Sequence, residues 1–292
     1  METVIELKNV SKRFSSFEVK DVSFEVKKGF VTGFVGANGM GKSTTIRLIM
    51  NLLKPDSGEI TIFGLDYRKH EREIKQRIGF VYDEHVLYEN LTLQEMKKIL
   101  RPIYEKWDDE VFHQYVHEFQ LPLNKKLKTF SKGMQMKASL AIALSHHADL
   151  IIMDEPTAGL DPVFRRELLS ILRNLVLDSE KTIFFSTHIT SDLDRIADYI
   201  VFIQDGQIVF SQEFYSIEEQ YVIVKGGIDL LDADTSKTFV SIQQSAHSFE
   251  GLSADKASVM KLFGDLALYE PVTLEDILFY TKKGGEKIAS IS

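Results

Sequence analysis

Apolar and polar residues alternate over residues 3–8 and 19–26, the period of strands that bury one face, so the chain is predicted to open with an antiparallel pair. The next segment breaks that period. Phe30, Val31, Thr32, Gly33, Phe34 and Val35 form a nearly continuous apolar run, as expected of a strand covered on both sides. A helix is predicted from about Thr44 to Leu53, closed by the turn Lys54-Pro55-Asp56-Ser57-Gly58, with short strands over 59–63 and 78–82. From Thr92 to about Ala148 the period becomes helical. Leu93, Met96, Lys97 and Leu100 share one face, Asp108 or Asp109 can cap a second helix running to Phe119, and a third is predicted from Ser131 to His147.

Strand and helix alternation then returns. It comprises a strand over 150–153, a helix after Pro162, a strand over 182–186, a helix near 191–197 and a hairpin turning at Asp205-Gly206. Beyond Gln212 the pattern weakens to strands over 221–227 and 237–242 and helices over 253–263 and 273–280, the last capped by Thr273. The predicted fold class is α/β: a parallel sheet flanked by helices, with an N-terminal antiparallel β subdomain, a helical insert over about 88–148 and a small α+β domain at the C-terminus. The predicted domains are 1–212 and 213–292.

Composition narrows the function classes. Hydrophobic and charged residues make up 44% and 27% of 292 residues, as in ordinary globular proteins. A formal charge of −8 gives no general attraction to nucleic acid or anionic lipid, so no nucleic-acid partner is expected. With no cysteine there is no disulfide or thiolate metal site, which fits a reducing compartment. No apolar stretch approaches the roughly 20 residues that span a bilayer, and the N-terminus lacks the apolar centre of a signal peptide. The expected location is cytoplasmic, with any membrane role supplied by a partner.

The residues Gly36-Ala37-Asn38-Gly39-Met40-Gly41-Lys42-Ser43-Thr44 fit the phosphate-binding pattern G-x-x-x-x-G-K-[ST] between a predicted strand and helix. Glycines let the backbone curl so that its N–H groups point at phosphate oxygens, and the helix that follows aims its positive end at the same anion. Lys42 is expected to reach the β- and γ-phosphates and Ser43 to offer its hydroxyl to Mg²⁺. Four apolar residues, Leu150 to Met153, put Asp154 at the carboxyl end of a buried strand, where it would hold Mg²⁺, and Glu155 could act as general base on a water. Ser131, read alone, is an N-cap; Ser131 and Gly133 also leave backbone amides that can face an anion.

The order of these elements resembles that of the ATP-binding subunits of ABC transporters over residues 1 to about 212. Gly36–Thr44 is similar to the family's Walker A loop, residues 150–156 to its Walker B strand, and Phe130-Ser131-Lys132-Gly133-Met134-Gln135 to a variant of its signature. Ala158-Gly159-Leu160-Asp161 resembles the D-loop, and Thr187-His188 the switch histidine. Phe14 stands where the family usually has a tyrosine that stacks on adenine. The glutamine expected after the strand over 78–82 is replaced by Asp83, which could ligate Mg²⁺ or be a surface residue.

The resemblance implies an ATP hydrolase with ATP and Mg²⁺ as cofactors. Its catalytic residues would be Lys42, Glu155 and His188, and its nucleotide contacts Phe14, Gly36, Asn38, Gly39, Gly41, Lys42, Ser43 and Thr44. Mg²⁺ would be held by Ser43, Asp154 and Asp83. Across a dimer with a second ATPase subunit, Ser131, Lys132, Gly133, Met134 and Asp161 would complete the partner's site. A transmembrane permease subunit would hold the chain at the inner face of the cell membrane, docked near residues 82–88 and the helical insert. The signature variant and the segment 273–281 are similar to exporters of the bacitracin-resistance and antimicrobial-peptide type, which implies export of a peptide, antibiotic or lipid-like substrate. Two other readings stay open: a soluble ATPase of this type not coupled to transport, and a non-hydrolysing regulatory module.

Overall fold

A computed structural model describes residues 1–81, 90–179 and 181–284. These divide into two compact units, residues 1–189 with 201–211, and residues 190–200 with 212–284.

In the first unit, β1 (Thr3–Arg13) pairs antiparallel with β2 (Glu18–Lys27) and, after β3 (Val31–Val35) and α1 (Lys42–Ile49), with β4 (Ser57–Ile62). A short β5 (Leu65–Asp66) completes this sheet, in the order β2-β1-β4-β5. The second sheet is built from β3, then β6 (Ile78–Val81), which follows the short α2 (Glu71–Gln76). The helical insert follows, with α3 (Leu93–Leu100), α4 (Asp109–Glu118) and α5 (Lys132–Ser145). Strand β7 (Leu150–Asp154), helix α6 (Pro162–Ser179) and strand β8 (Thr182–Thr187) come next. Past α7 (Thr190–Ile196), the hairpin β9 (Tyr199–Gln204) and β10 (Gln207–Glu213) gives the order β10-β9-β3-β8-β7-β6.

Every residue of β3, β7 and β8 is buried, as continuous apolar strands require. The two sheets are joined by Phe24, Phe34 and Phe184, whose ring centroids lie 5.5 to 5.7 Å apart. Each insert helix starts on a hydroxyl or carboxylate cap. Thr92 and Glu95 form a capping box, Asp108 accepts from Glu110 and Val111 N–H, and Ser131 accepts from Met134 N–H at 3.2 Å. Helix α5 lies directly on β6: a Cβ on Gly79 would stand 2.5 Å from Ala143 Cβ.

The second unit holds α8 (Phe214–Gln220), β11 (Val222–Gly227), β12 (Ser241–Gln244), β13 (Ser248–Ser253), α9 (Lys256–Phe263), β14 (Leu268–Glu270) and α10 (Leu274–Gly284). Its antiparallel sheet runs β12-β13-β11-β14. Val222, Val224, Phe239 and Phe249 pack with Val259 and Phe263 of α9 into a separate core. α10 packs against β12, β13 and α7, and its buried Tyr280 donates to Glu250 at 2.6 Å.

Tertiary packing and local chemistry account for the departures from the predicted elements that follow. α7 groups with α10, so residues 190–200 belong with the second unit and not the first. The expected strand over 237–242 begins only at Ser241, because Asp232 accepts from Thr235 N–H at 2.8 Å and starts a 3₁₀ turn. The helix expected from Ser253 starts at Lys256 because Asp255 caps it. Strands β13 and β14 and helices α2 and α8 are additional to the predicted elements.

Two packing sites in the first unit generate predictions. His146, at the end of α5, is 1% exposed and stacks on Tyr104 at 3.9 Å. Its Nδ1 has no hydrogen-bond partner. Burial, with the nearby positive charges of His147 and Lys181, pushes its pKa down from 6.5 to about 4. The folded state therefore resists a proton that the unfolded chain accepts, so stability falls as pH drops from about 6.5 towards about 4. Urea unfolding across this window is expected to show wild type losing up to about 3 kcal/mol relative to His146→Phe, which keeps the stack without the titration. At the start of α5, a Cβ on Gly133 would meet the Phe164 ring of α6 at 2.8 Å. Gly133→Ala is expected to cost about 1–3 kcal/mol in urea unfolding, and the double variant with Phe164→Leu less than the sum of the singles.

Candidate functional site

Parallel pairing aligns the strand ends that carry the motifs. Val35 stands opposite Thr187, and Ser186 opposite Asp154. The chain therefore leaves β3 into Gly36, β7 into Glu155 and β8 into His188, all at the carboxyl edge of one sheet, where open α/β sheets bind ligands.

The loop after β3 has a backbone suited to a phosphate. Gly39 and Gly41 have φ of 83° and 107°, which glycine adopts without strain. A Cβ on Gly36 would lie 2.5 Å from the Ile203 carbonyl oxygen, so no larger residue fits there. Lys42 is buried and curls back over the loop, donating to Gly36 O at 2.7 Å and Ala37 O at 3.2 Å. Asn38 is exposed at the tip, while Ser43 and Thr44 are half-buried in the first turn of α1.

Glu155 links the elements. Its Oε1 lies 3.1 Å from Lys42 Nζ, and its Oε2 lies 2.8 Å from His188 Nδ1 and accepts from His188 N–H at 3.3 Å. A carboxylate, an ammonium and an imidazole from separate loops thus meet at one point. The Glu155 backbone is left-handed, with φ 49°, a conformation costing a non-glycine residue about 1–2 kcal/mol. Asp154 is 4% exposed, and its Oδ1 accepts from the Ser186 hydroxyl at 2.5 Å.

Other sequence-selected residues have local roles. Phe14 is 40% exposed beyond the end of β1, its N–H donating to Phe17 O at 2.7 Å, so its ring is open to a ligand. Asp161 caps α6, accepting from Val163 and Phe164 N–H at 3.1 and 3.0 Å. Lys132 extends along Gly159: a Cβ there would lie 3.6 Å from its ammonium. Met134 is half-buried one turn into α5. Asp83 and the segment 82–88 lie outside the described residues.

Sequence reasoning missed the bracing of the phosphate loop and the role of Ser186. Met40 O accepts from Gly206 N–H at 3.2 Å, and Gly206 O accepts from Lys20 N–H at 2.9 Å, so the β9–β10 turn clamps the loop to β2. Phe17 lies 3.1 Å from where Gly41 would carry a Cβ. In the sequence Ser186 is one of three hydroxyl residues of β8, with Thr182 and Thr187, and nothing local sets it apart from them.

The model of the ABC transporter family matches residues 19–158. The chain is 33% identical over 257 residues to the bacitracin transport ATP-binding protein BcrA of Bacillus licheniformis, covering 86% of this chain and 82% of that protein. It is 28% identical to the ABC transporter ATP-binding protein YtrB of Bacillus subtilis (strain 168), covering 97% and 99%. Among solved structures, an ATP-binding subunit of an ABC transporter superposes with a TM-score of 0.67 at 30% identity, covering 74% of this chain and 92% of that one. A dimeric ATP-binding cassette in a post-hydrolysis state with ADP and phosphate gives 0.63 at 25% identity, covering 72% and 98%. The chain belongs to the ABC transporter family, as one of its ATP-binding subunits.

Proposed function

We propose that the chain hydrolyses ATP to power a separate membrane permease that exports a peptide, antibiotic or lipid-like substrate. The observation carrying this reading is Glu155 held between Lys42 and His188 at the edge of the phosphate loop. Relatives named for bacitracin transport and for linearmycin resistance, the latter 32% identical, favour export.

The donor set fits a magnesium nucleotide. Ser43 and Asp154 offer hard oxygen ligands, and among the described residues no group of three His, Cys, Asp or Glu side chains could hold a metal unaided. That is expected of a cation that keeps waters and shares phosphate oxygens with its nucleotide. When bound, Mg²⁺ would neutralise charge developing on the β- and γ-phosphate oxygens.

The chain's own residues do the rest. The exposed ring of Phe14 would stack on the base. Amides of Gly36, Asn38, Gly39, Gly41 and Thr44 would cradle the phosphates, and Lys42 would pair with the β- and γ-oxygens. Glu155 would take the proton of the attacking water as the bond between the γ-phosphorus and the bridging oxygen breaks, leaving ADP and phosphate. His188, bonded to Glu155, would orient that carboxylate and meet the γ-phosphate. A second subunit would present its own Ser131, Lys132, Gly133, Met134 and Asp161 to the same nucleotide. Among the described residues no helix is long and apolar enough to cross a membrane, so attachment to the inner face of the membrane would run through the permease.

Glu155→Gln tests the reading. Steady-state ATP hydrolysis is expected to fall by about 10²- to 10⁴-fold, with ATP still bound and the dimer accumulating in size-exclusion chromatography. Unchanged turnover would remove Glu155 as the base. Wild-type turnover of zero, alone and with native membranes, would favour a non-hydrolysing module.

A further inference from the structure

Ser186 is fully buried in a strand whose other residues, Thr182, Ile183, Phe184, Phe185 and Thr187, are also buried. A hydroxyl in such a place costs stability unless it is hydrogen-bonded. Here both of its capacities are used on the two carboxylate-bearing residues of the site. Ser186 is the register partner of Asp154 on the neighbouring parallel strand, so the two side chains leave the sheet on the same face. Ser186 Oγ donates to Asp154 Oδ1 at 2.5 Å and accepts from Glu155 N–H at 3.1 Å. The direction of both bonds is fixed. An amide can only donate, so the hydroxyl receives it on a lone pair and its single hydrogen goes to the carboxylate.

The consequences fall on geometry. The bond to Oδ1 restrains the rotation of the Asp154 carboxylate and leaves Oδ2 out of the bond to Ser186. The Glu155 N–H, shared between Ser186 Oγ and Ser186 O at 3.1 Å each, is tied to β8 where the backbone takes its left-handed turn. That turn aims the Glu155 side chain at Lys42 and His188.

We infer that Ser186 is a positioning residue, which through one hydroxyl sets the metal-facing oxygen of Asp154 and the direction of Glu155. This rests on the proposed hydrolysis for its kinetic part only. Removing such a partner from a metal ligand costs about 10- to 100-fold in metal affinity or activity. Ser186→Ala is therefore expected to lower kcat by about 10- to 100-fold with KM for ATP changed by less than about threefold. Mn²⁺ affinity of the ADP-bound chain, read by electron paramagnetic resonance, is expected to weaken about 10-fold or more, while metal-free ADP affinity stays the same. Ser186→Thr, which restores the hydroxyl, is expected to recover most of both.

Wild-type kcat and Mn²⁺ affinity in Ser186→Ala would overturn the inference. So would equal losses of metal-free ADP binding and of thermal stability, which mark a merely structural serine. If Glu155→Gln hydrolyses like wild type, the base assignment fails, yet the Mn²⁺ comparison still decides the role of Ser186.

Discussion

Parallel pairing of β3, β8 and β7 sets Val35 opposite Thr187 and Ser186 opposite Asp154, and the site follows from that register. Side chains alternate along a strand with a period of two, so a slip by one residue would turn Asp154 and Ser186 to opposite faces. It would also break the bond between them and carry Glu155 out of line with Lys42 and His188. What holds the register is apolar burial: all residues of the three strands are buried, and Phe34 and Phe184 stack across β3 and β8 at 5.5 Å. The core and the site are thus one construction, since the residues that exclude water from the sheet also decide where its loops begin.

Much of the first unit was legible because its signals are local and strong. Continuous apolar runs marked β3, β7 and β8, glycines marked the phosphate loop, and Thr92, Asp108 and Ser131 each cap the helix that the sequence predicts behind them. Family resemblance then supplied an order in which Ser131, Asp154, Glu155 and His188 became more than caps and strand ends. Ser186 was not legible, because its meaning lies in a strand neighbour 32 residues away along the chain. The brace from Gly206 to Met40 likewise joins segments far apart in sequence.

The second unit shows where pattern reading loses force. β14 is three residues long, and β13 carries Gly251, beside which a Cβ would stand 2.8 Å from the Phe239 ring. Neither strand has a clean alternation, and both are defined by pairing with β11. Asp232 and Asp255 redirect the backbone by accepting from N–H groups two or three residues on, and so trim the strand and helix that apolar periodicity extends. The grouping of α7 with α10 depends on tertiary packing alone, which no local window contains.

On the proposed reading, the electrostatics of the site tie substrate binding to readiness for chemistry. The side chains of Lys42 and Glu155 are 5% and 13% exposed, and their ion pair at 3.1 Å joins the bonds each makes to its other neighbours in compensating for lost water. Removing one partner from such a pair leaves a buried charge uncompensated, which is far costlier than exchanging it for another anion. A nucleotide phosphate at the loop is such an anion. It can take over Lys42, whose remaining bonds are to the carbonyls of Gly36 and Ala37, and so release Glu155 Oε1. Glu155 then keeps His188, 40% exposed and within reach of solvent, and gains an oxygen free to accept a proton. A neutral loop residue in place of Lys42 would leave Glu155 without its counter-ion before nucleotide arrives and the phosphates without theirs afterwards. The lysine is therefore required on both sides of the exchange.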